Sequence, residues 1–443
     1  MRIHIFTAFL VAGMLASLPA SAQKPSELLF ISADAKAKLP PAPAGKTYQE
    51  ELAIVKQRTA TADARSLQAV RYWDAGAPAY RWNEIGYKLT GPQLFNTPDG
   101  GNFWRSPMAW MNIAIYNASL QCSNLQQKHG VKRPYELDPS IRVTARKPAS
   151  SSFPCTHSAT AAAAGTVLAY FFPQQSDSLL ELARQAAASR IDGGVQFPAD
   201  VAAGWKIGED IAREVIRRSE THAMPVTVTP ASVRNTQQLW QGSHPVGMKA
   251  GTLKPLVLRS GDQFRPAPPP LFDAEMEQLK KLEQNFFTRY LAYKWAGLSG
   301  LDIWTDLAAQ KIFEYNLQDD ALKAAAIYAL LHVTVHDATI AIMDAKYAYR
   351  GIRPDQLDPV FKPLLGFTPP FPGYPSGHAT ASAAAATVLA HFFPDDAPAF
   401  HQLARECAES RFFAGIHFPT DNNVGIEMGN KLAGYVIQNW PGR

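Results

Sequence analysis

The C-terminal half of this 443-residue chain concentrates side chains that bind and transform oxyanions. Two histidines, His378 and His417, can transfer a proton or attack a central atom. Three cations, Lys346, Arg353 and Arg411, can balance charge on the oxygens, the lysine as a point charge and each arginine as a planar fork. Such a set suits a tetrahedral or trigonal-bipyramidal oxyanion.

The tetrapeptide Pro-Ser-Gly-His at 375–378 precedes an alanine-rich run, 379–393, that predicts a helix. Ser376 is a favourable N-cap, Gly377 lets the backbone approach a ligand, and free N–H groups of the first turn carry partial positive charge. An ordinary helix cap, with His378 as a first-turn polar residue, is the alternative. The cations on both sides and His417 favour an anion site.

Three motifs occur in order: Lys-x6-Arg-Pro at 346–354, Pro-Ser-Gly-His at 375–378 and Ser-Arg-x5-His at 410–417. This pattern resembles the vanadium haloperoxidase and type 2 phosphatidic acid phosphatase (PAP2) superfamily, which includes bacterial class A acid phosphatases. Every position of the pattern is matched, and the resemblance covers roughly the last hundred residues.

The resemblance implies a role for each residue of the pattern. His417 would bind vanadate or become phosphorylated, and His378 would be the acid–base residue. The groups that would hold the oxygens are Lys346, Arg353, Ser376, Gly377 and Arg411.

Two more residues are candidates beside this set. Phe371 precedes His378 by the family's spacing, so the resemblance makes it an apolar wall of a halide site; a core position in a proline-rich loop is the alternative. Asp421 follows His417 by four residues and either orients that imidazole or caps the last helix.

The expected function is an exported, vanadate-dependent haloperoxidase that oxidises halide with hydrogen peroxide. An acid phosphatase that cleaves phosphomonoesters through a phosphohistidine at His417, without a cofactor, uses the same residues. A non-enzymatic oxyanion-binding protein is a third hypothesis. The duplicated helical build favours the haloperoxidase, whereas Met343 stands where haloperoxidases often have an aromatic residue, three positions before Lys346.

An internal repeat relates the two halves of the chain. Phe153–Pro198 repeats the pattern of Tyr374–Pro419. The first copy retains Arg133, His157, Arg190 and Asp200 but carries Gln126, Cys155, Thr156 and Gln196 at the positions of Lys346, Ser376, Gly377 and His417. Because an amide cannot replace the axial imidazole, we expect the first copy to be an inactive packing partner; a residual anion site is the alternative.

The predicted fold is all-α, with two related helical bundles. Residues 1–22 are predicted to be a signal peptide, 23–222 the inactive repeat, 223–270 a connection rich in proline and glycine, and 271–443 the catalytic bundle. Helices are predicted at 274–295 with Asp273 as cap, 302–315, 320–347, 396–412 and 420–438. Segments 226–229 and 255–258 lean towards β structure, and 264–270 is either a cover for the pocket or a surface linker.

Composition narrows the partners and the compartment. A net charge of +5 without runs of lysine or arginine argues against nucleic acid. Ala20-Ser21-Ala22 resembles a signal cleavage site, which predicts a periplasmic or secreted protein without an integral membrane segment once the signal is cleaved. The expected partners are small molecules, and a homo-oligomer is compatible with the sequence.

Several other polar residues have a structural interpretation. The three cysteines are expected to be buried thiols, with a Cys122–Cys155 bridge as the alternative. His332 and His336 share a helix face, and core packing is preferred to a metal site. Asp337 and Asp344, on the same long helix, are candidates for pairing with the arginines of the site.

Overall fold

The computed structural model describes residues 29, 46–97, 100–101, 103–229, 238–297 and 301–440. Within them, regular structure is helical, and extended pairing is limited to two isolated bridges, Pro225 with Leu253 and Leu239 with Gly351. Segments 226–229 and 255–258 form no strand. The predicted signal peptide, 1–22, lies outside the described residues.

The described helices form two series that repeat one another and confirm the predicted all-α fold of two related bundles. The first series is α1 (Lys46–Thr61), α2 (Ala64–Trp73), α3 (Tyr80–Thr90), α4 (Gln93–Asn96), α5 (Pro107–His129), α6 (Pro134–Leu137), α7 (Thr156–Phe171), α8 (Ser176–Asp192) and α9 (Pro198–His222). The second is α10 (Asp273–Lys280), α11 (Phe286–Lys294), α12 (Leu301–Glu314), α13 (Ala321–Tyr349), α14 (Pro354–Leu357), α15 (Gly377–Phe392), α16 (Ala397–Phe413) and α17 (Pro419–Gln438).

Helices α5 and α13 pack against each other at the centre of the molecule. Around α5 lie α7 and α9, and around α13 lie α15 and α17, so the bundles share one continuous apolar core. Of the described helices, α13 is the one long and apolar enough to cross a bilayer, and 89% of its apolar window is buried inside the protein. It is the central core helix.

Small residues bring α15 and α17 into close contact. A Cβ atom added to Gly425 would come within 2.8 Å of Ser376 O, and one added to Gly429 within 2.2 Å of Thr380 O. In the first bundle Gly204 occupies the same place, with 2.2 Å to Cys155 O. The glycines therefore allow backbone-to-backbone packing that holds the start of α15 over α17.

The prediction of one helix over 274–295 was wrong. The chain forms two helices there, α10 and α11, separated by residues 281–285. Asn285 begins the second helix because its side-chain Oδ1 accepts a hydrogen bond from Thr288 N at 3.0 Å. Asp273 is the first residue of α10 rather than its cap.

The connection between the halves is bound to α13 by two carboxylates. Asp337 accepts hydrogen bonds from three successive backbone N–H groups, those of residues 256–258. Asp344 forms a two-pronged ion pair with Arg265, with both N–O distances at 2.7 Å. The suggested pairing of these aspartates with the arginines of the site was therefore wrong.

The segment 264–270 does not cover the pocket. Phe264 packs edge-on against Tyr435, and the carbonyls of Pro266 and Ala267 accept hydrogen bonds from tyrosine hydroxyls. The segment is thus a fixed part of the surface. The three cysteines are buried free thiols, so Cys122 and Cys155 form no bridge.

Candidate active site

The residues singled out from the motifs meet at one cavity of the second bundle. Those that line it are Lys346, Phe371, Gly377, His378, Arg411 and His417. Those buried against its wall are Arg353, Ser376 and Asp421. The cavity offers about 90 Å³ to the centre of a water molecule, and because one water needs on the order of 10–15 Å³, it has room for an oxyanion with a further small ligand.

Most of these side chains lie at or next to the ends of helices. Lys346 lies in the last turn of α13 and Arg411 in the last turn of α16, while His378 lies in the first turn of α15. His417 belongs to the link before α17, and Arg353 immediately precedes α14. Helix ends have backbone N–H or C=O groups without an intrahelical partner, and several such ends meet at this cavity.

His417 is held between a carboxylate and a guanidinium. Its Nδ1 lies 2.9 Å from Asp421 Oδ2, and its Nε2 lies 3.0 Å from Arg353 Nη1. An arginine can only donate, so Nε2 is the unprotonated nitrogen and Nδ1 donates to Asp421. The imidazole therefore presents a lone pair on Nε2, the atom that a metal-centred or phosphorus-centred oxyanion would require.

Asp421 performs both duties that its sequence position suggested. The same Oδ2 that accepts from His417 also accepts from Phe418 N at 3.1 Å, which satisfies a free donor at the start of α17. In addition, Asp421 O accepts from Ser376 N at 2.9 Å. This carbonyl ties the link that bears His417 to the turn that bears His378.

Lys346 and Arg353 flank the ring of Phe371. Lys346 Nζ lies 5.3 Å and Arg353 Cζ 5.5 Å from its centroid. Lys346 Nζ donates to the carbonyls of Pro372 and Gly373 at 2.8 and 2.6 Å. Arg353 Nη2 is buried without a hydrogen-bond partner among the described residues, which fits a site completed by an anion.

The first turn of α15 meets the cavity as predicted from its motif. Ser376 Oγ accepts from Ala379 N at 3.4 Å, as an N-cap does. A Cβ atom on Gly377 would lie 3.6 Å from Ile342 and 3.8 Å from Lys346, so a side chain there would occupy space beside the lysine. His378 Nε2 lies 3.3 Å from Gly297 O. Since a carbonyl only accepts, Nε2 carries the proton and Nδ1 is free to take another.

Burial of several positively charged side chains together is the main cause of the shifted pKa values in the site. Burial lowers the pKa of Arg353 and of Arg411 to about 10, and burial together with Arg353 lowers the pKa of Lys346 well below its ordinary value. Burial and the charge of Arg411 lower the pKa of His378 to about 3. Burial raises the pKa of Asp421 to about 7. An anion between these groups would offset the repulsion among the cations.

The first copy preserves the architecture without the chemistry. With its amide oxygen directed to Arg133, Gln196 accepts from Nη1 at 2.6 Å and donates to Asp200 at 3.0 Å. This arrangement reproduces the one around His417. The remaining donors of Arg133 are taken by Ser150 and Ser151, and Arg190 pairs with Asp74 at 2.7 Å. Because the protein itself satisfies both arginines, the first copy has the features of a packing partner rather than of a residual anion site.

The first half nevertheless contributes to the cavity of the second. Leu94, Phe103 and Trp104 line it, a contribution that no motif in the sequence indicated. The remaining apolar wall comes from the second half, from Ile342, Met343, Leu365, Phe367, Pro369, Ala381 and Ile416. The cavity thus combines cationic side chains with a largely apolar, aromatic lining.

His332 and His336 lie outside this cavity. Among the described residues, no group of three or more His, Cys, Asp or Glu side chains has the arrangement of a metal site. Both histidines are buried, and both line a second cavity rather than packing wholly within the core.

Fold and site together define a duplicated helical protein in which the second copy gathers the candidate oxyanion-binding residues at one cavity, whereas the first copy has other residues at several of these positions. The chain belongs to the PAP2 superfamily, which it matches twice, over residues 108–222 and 321–442, more than half of its length. No curated protein gives a significant match.

Solved structures show a similar fold. A bacterial vanadium-dependent iodoperoxidase is 19% identical with a TM-score of 0.59, and the match covers 90% of this chain and 98% of that one. The holo form of a bacterial vanadium-dependent chloroperoxidase is 14% identical with a TM-score of 0.57, over 79% of this chain and 94% of that one. These neighbours establish the fold.

Proposed function

We propose that this protein is a vanadate-dependent haloperoxidase that uses hydrogen peroxide to oxidise a halide. The observation that carries the proposal is the lining of the cavity, where aromatic rings from both halves lie beside Lys346 and Arg411, with Arg353 buried behind them. Such a wall excludes water and suits a weakly hydrated halide, whereas a phosphomonoester would bring a polar leaving group into apolar surroundings.

The residues of the site fit vanadate as a resident cofactor. Lys346, Arg353 and Arg411 would hold its oxygens, with the turn at Ser376 and Gly377, and the lone pair on His417 Nε2 would bind its metal atom. When bound, vanadate supplies the chemistry by which peroxide becomes an oxidant of halide. In this structure Arg353 Nη1 donates to His417 Nε2. With vanadate bound, it would donate to a vanadate oxygen instead.

The chain's own proton transfer is assigned to His378. With its pKa lowered to about 3, the imidazole is neutral near pH 7, and its Nδ1 can accept the proton that peroxide loses. The contact with Gly297 O fixes the ring in the tautomer that leaves Nδ1 free. Asp421 holds His417 in the opposite tautomer, which leaves Nε2 free.

Trp104 explains why Met343 can stand where haloperoxidases often have an aromatic residue. The two side chains pack in one apolar cluster, and a Cβ atom on Gly247 would come within 2.6 Å of Trp104 and 2.9 Å of Met343. The aromatic ring expected three positions before Lys346 is thus replaced by one from the first half. We assign Trp104 to the wall of the halide site, beside Met343 on the helix that carries Lys346.

A phosphatase is the second candidate, because a lone pair on His417 Nε2 is also what a phosphohistidine nucleophile requires. One experiment separates the two. Purified protein is loaded with orthovanadate and assayed for peroxide-dependent halogenation of monochlorodimedone with iodide, bromide and chloride. Vanadate-free protein is assayed for hydrolysis of a phosphomonoester. Halogenation is the expected result; ester cleavage without halogenation by any halide would overturn the proposal.

We also propose that the protein is exported, on the basis of residues 1–22. The expected observation is a mature N-terminus at Gln23 in protein recovered outside the cytoplasm, measured by N-terminal sequencing. Recovery of intact protein with Met1 in the cytoplasm would contradict it.

A further inference from the structure

A second, larger cavity lies between the two halves, beside the first. It offers about 400 Å³ to the centre of a water molecule. The first half provides the end of α3 and the start of α5, and the second half provides α13. Phe103, Gly297 and Thr339 line both cavities, so they form a shared boundary. We refer to this second cavity as the inter-half chamber.

Two residues of the inter-half chamber carry buried polar atoms without partners. Thr90 Oγ1 and His336 Nε2 are both buried, and neither has a hydrogen-bond partner among the described residues. Buried polar atoms are almost always paired in native proteins, and each unpaired one costs about 1–3 kcal/mol. Two residues of one cavity lining therefore have hydrogen-bonding capacity that a bound polar group could use.

The other ring nitrogen of His336 shows how the residue is held. Nδ1 lies 2.7 Å from Ser106 Oγ. Ser106 has φ 49° and ψ 62°, the left-handed region that a non-glycine residue rarely occupies. Strain of this kind persists where the surroundings impose it, and it clusters at ligand sites. The start of α5 is thus shaped around the contact that orients the imidazole.

We propose that the inter-half chamber binds the organic acceptor of the haloperoxidase, a neutral aromatic molecule that carries a hydroxyl group. The proposal rests on the function proposed above. It places the acceptor next to the oxyanion cavity, across the boundary formed by Phe103, Gly297 and Thr339.

The walls determine the class of ligand. Tyr87, Pro92, Met108 and Val335 provide apolar and aromatic surface for a ring. The charged residues of the lining, Lys88 and Asp302, are both exposed and of opposite sign, so a charged ligand would lose hydration without a buried counter-ion. A hydroxyl both donates and accepts, so it can hydrogen-bond to Thr90 Oγ1, and it also matches His336 Nε2 in either tautomer.

The position also suits the chemistry. Peroxide oxidises halide and one proton is consumed, which yields hypohalous acid and water. At the aromatic ring, a carbon–halogen bond then forms and a carbon–hydrogen bond breaks, and the released proton leaves with hydroxide as water. A phenolic ring is activated for this substitution, and a bound acceptor would capture the oxidant before it diffuses into solvent.

Binding can be measured without vanadate, by equilibrium dialysis of the vanadate-free protein with 2-naphthol, naphthalene and 2-naphthoate. We expect 2-naphthol to bind most tightly. Thr90→Val should weaken 2-naphthol about five-fold, as the loss of one net hydrogen bond predicts, and should leave naphthalene unchanged. Val335→Phe, which places a larger side chain in the lining and narrows the chamber, should weaken binding of both.

The matched control is Thr334→Val. Thr334 is buried on α13, its hydroxyl bonds to Leu330 O, and it lines neither cavity, so 2-naphthol should bind this variant as it binds wild type. Each variant is first checked for a cooperative thermal transition. Absence of 2-naphthol binding at millimolar concentration, or equal affinity in folded wild type, Thr90→Val and Val335→Phe, would overturn the proposal.

A parallel measurement of triiodide formation from iodide and peroxide keeps the two proposals separate, because it needs no organic acceptor. Loss of 2-naphthol binding in the chamber variants, with no iodide oxidation by the wild type, would support the chamber and reject the haloperoxidase. Iodide oxidation by a wild-type protein that does not bind 2-naphthol would support the haloperoxidase and reject the chamber.

Discussion

Arg190 donates from Nη1 to Asp74 Oδ1 at 2.7 Å, and this ion pair marks the chemical difference between the two halves. In the second half, the residue that follows the corresponding tryptophan, Trp295, is Ala296. Arg411 repeats the other contacts of Arg190, with a backbone carbonyl and with the preceding serine. Among the described residues, no carboxylate pairs with Arg411, so its charge is directed to the cavity.

Replacing that alanine should disable the site. In Ala296→Asp, a carboxylate beside Arg411 would repeat the pairing of the first half and repel an incoming oxyanion. We expect vanadate affinity to fall about 10- to 100-fold, the range for loss of a hydrogen bond to a charged group. The measurement is vanadate titration of the apoprotein.

The control for this change is Ala296→Asn, which has nearly the same shape and no charge. It should retain most of the affinity lost in Ala296→Asp. Equal losses in both variants would show that size, and not charge, is responsible.

His417→Gln tests the lone pair on Nε2. The substitution creates the side chain found at Gln196, which packs between an arginine and an aspartate in the first half, so the fold should persist. Because an amide is neither an axial ligand nor a nucleophile, turnover should fall to the background rate in both the halogenation and the phosphatase assay. Undiminished turnover of the folded variant would reject the assignment of His417.

His378→Ala tests proton transfer separately from anion binding. The imidazole holds no oxygen in our assignment, so the vanadate dissociation constant should stay within a few-fold of wild type. Turnover should fall about 10²- to 10⁴-fold, the usual contribution of a general acid–base group. A parallel loss of vanadate affinity and turnover would instead place His378 among the anion ligands.

Asp200 in the inactive copy predicts a pH dependence of stability. Burial raises its pKa to about 6, above the ordinary 3.8. The folded state therefore keeps a proton that the unfolded chain releases, and the contribution to stability is complete below about pH 4 and lost as the pH rises to about 6. The loss is about 3 kcal/mol for a shift of about two pKa units.

Urea unfolding of wild type and Asp200→Asn between pH 4 and pH 7 checks this prediction. Relative to wild type, the variant should become more stable as the pH rises through that interval, because it lacks the ionising group. Parallel pH profiles for the two proteins would contradict the prediction.

Much of the fold could be predicted from the sequence because helix-capping residues and helix-forming runs indicate the same helices. Alanine-rich runs after Ser376 and Cys155 predicted α15 and α7, which begin at these caps. The prediction of one helix over 274–295 was wrong because the apolar pattern continues across residues 281–285. In the structure, Asn285 and Thr288 cap a new helix there. Whether the chain forms one long helix or breaks at a local cap depends on tertiary packing.

The amino-acid sequence alone predicted which residues form the candidate site, since Lys346, His378, Arg411 and His417 occur in ordered motifs, whereas Gln126 and Gln196 stand at the positions of Lys346 and His417 in the other copy. Only the tertiary structure showed that Phe103 and Trp104 of the first copy line this cavity and that, among the described residues, no carboxylate pairs with Arg411. The physical reason is that motif chemistry is a property of neighbours along the chain. The shape of a cavity and the balance of buried charge depend on contacts between residues far apart in sequence.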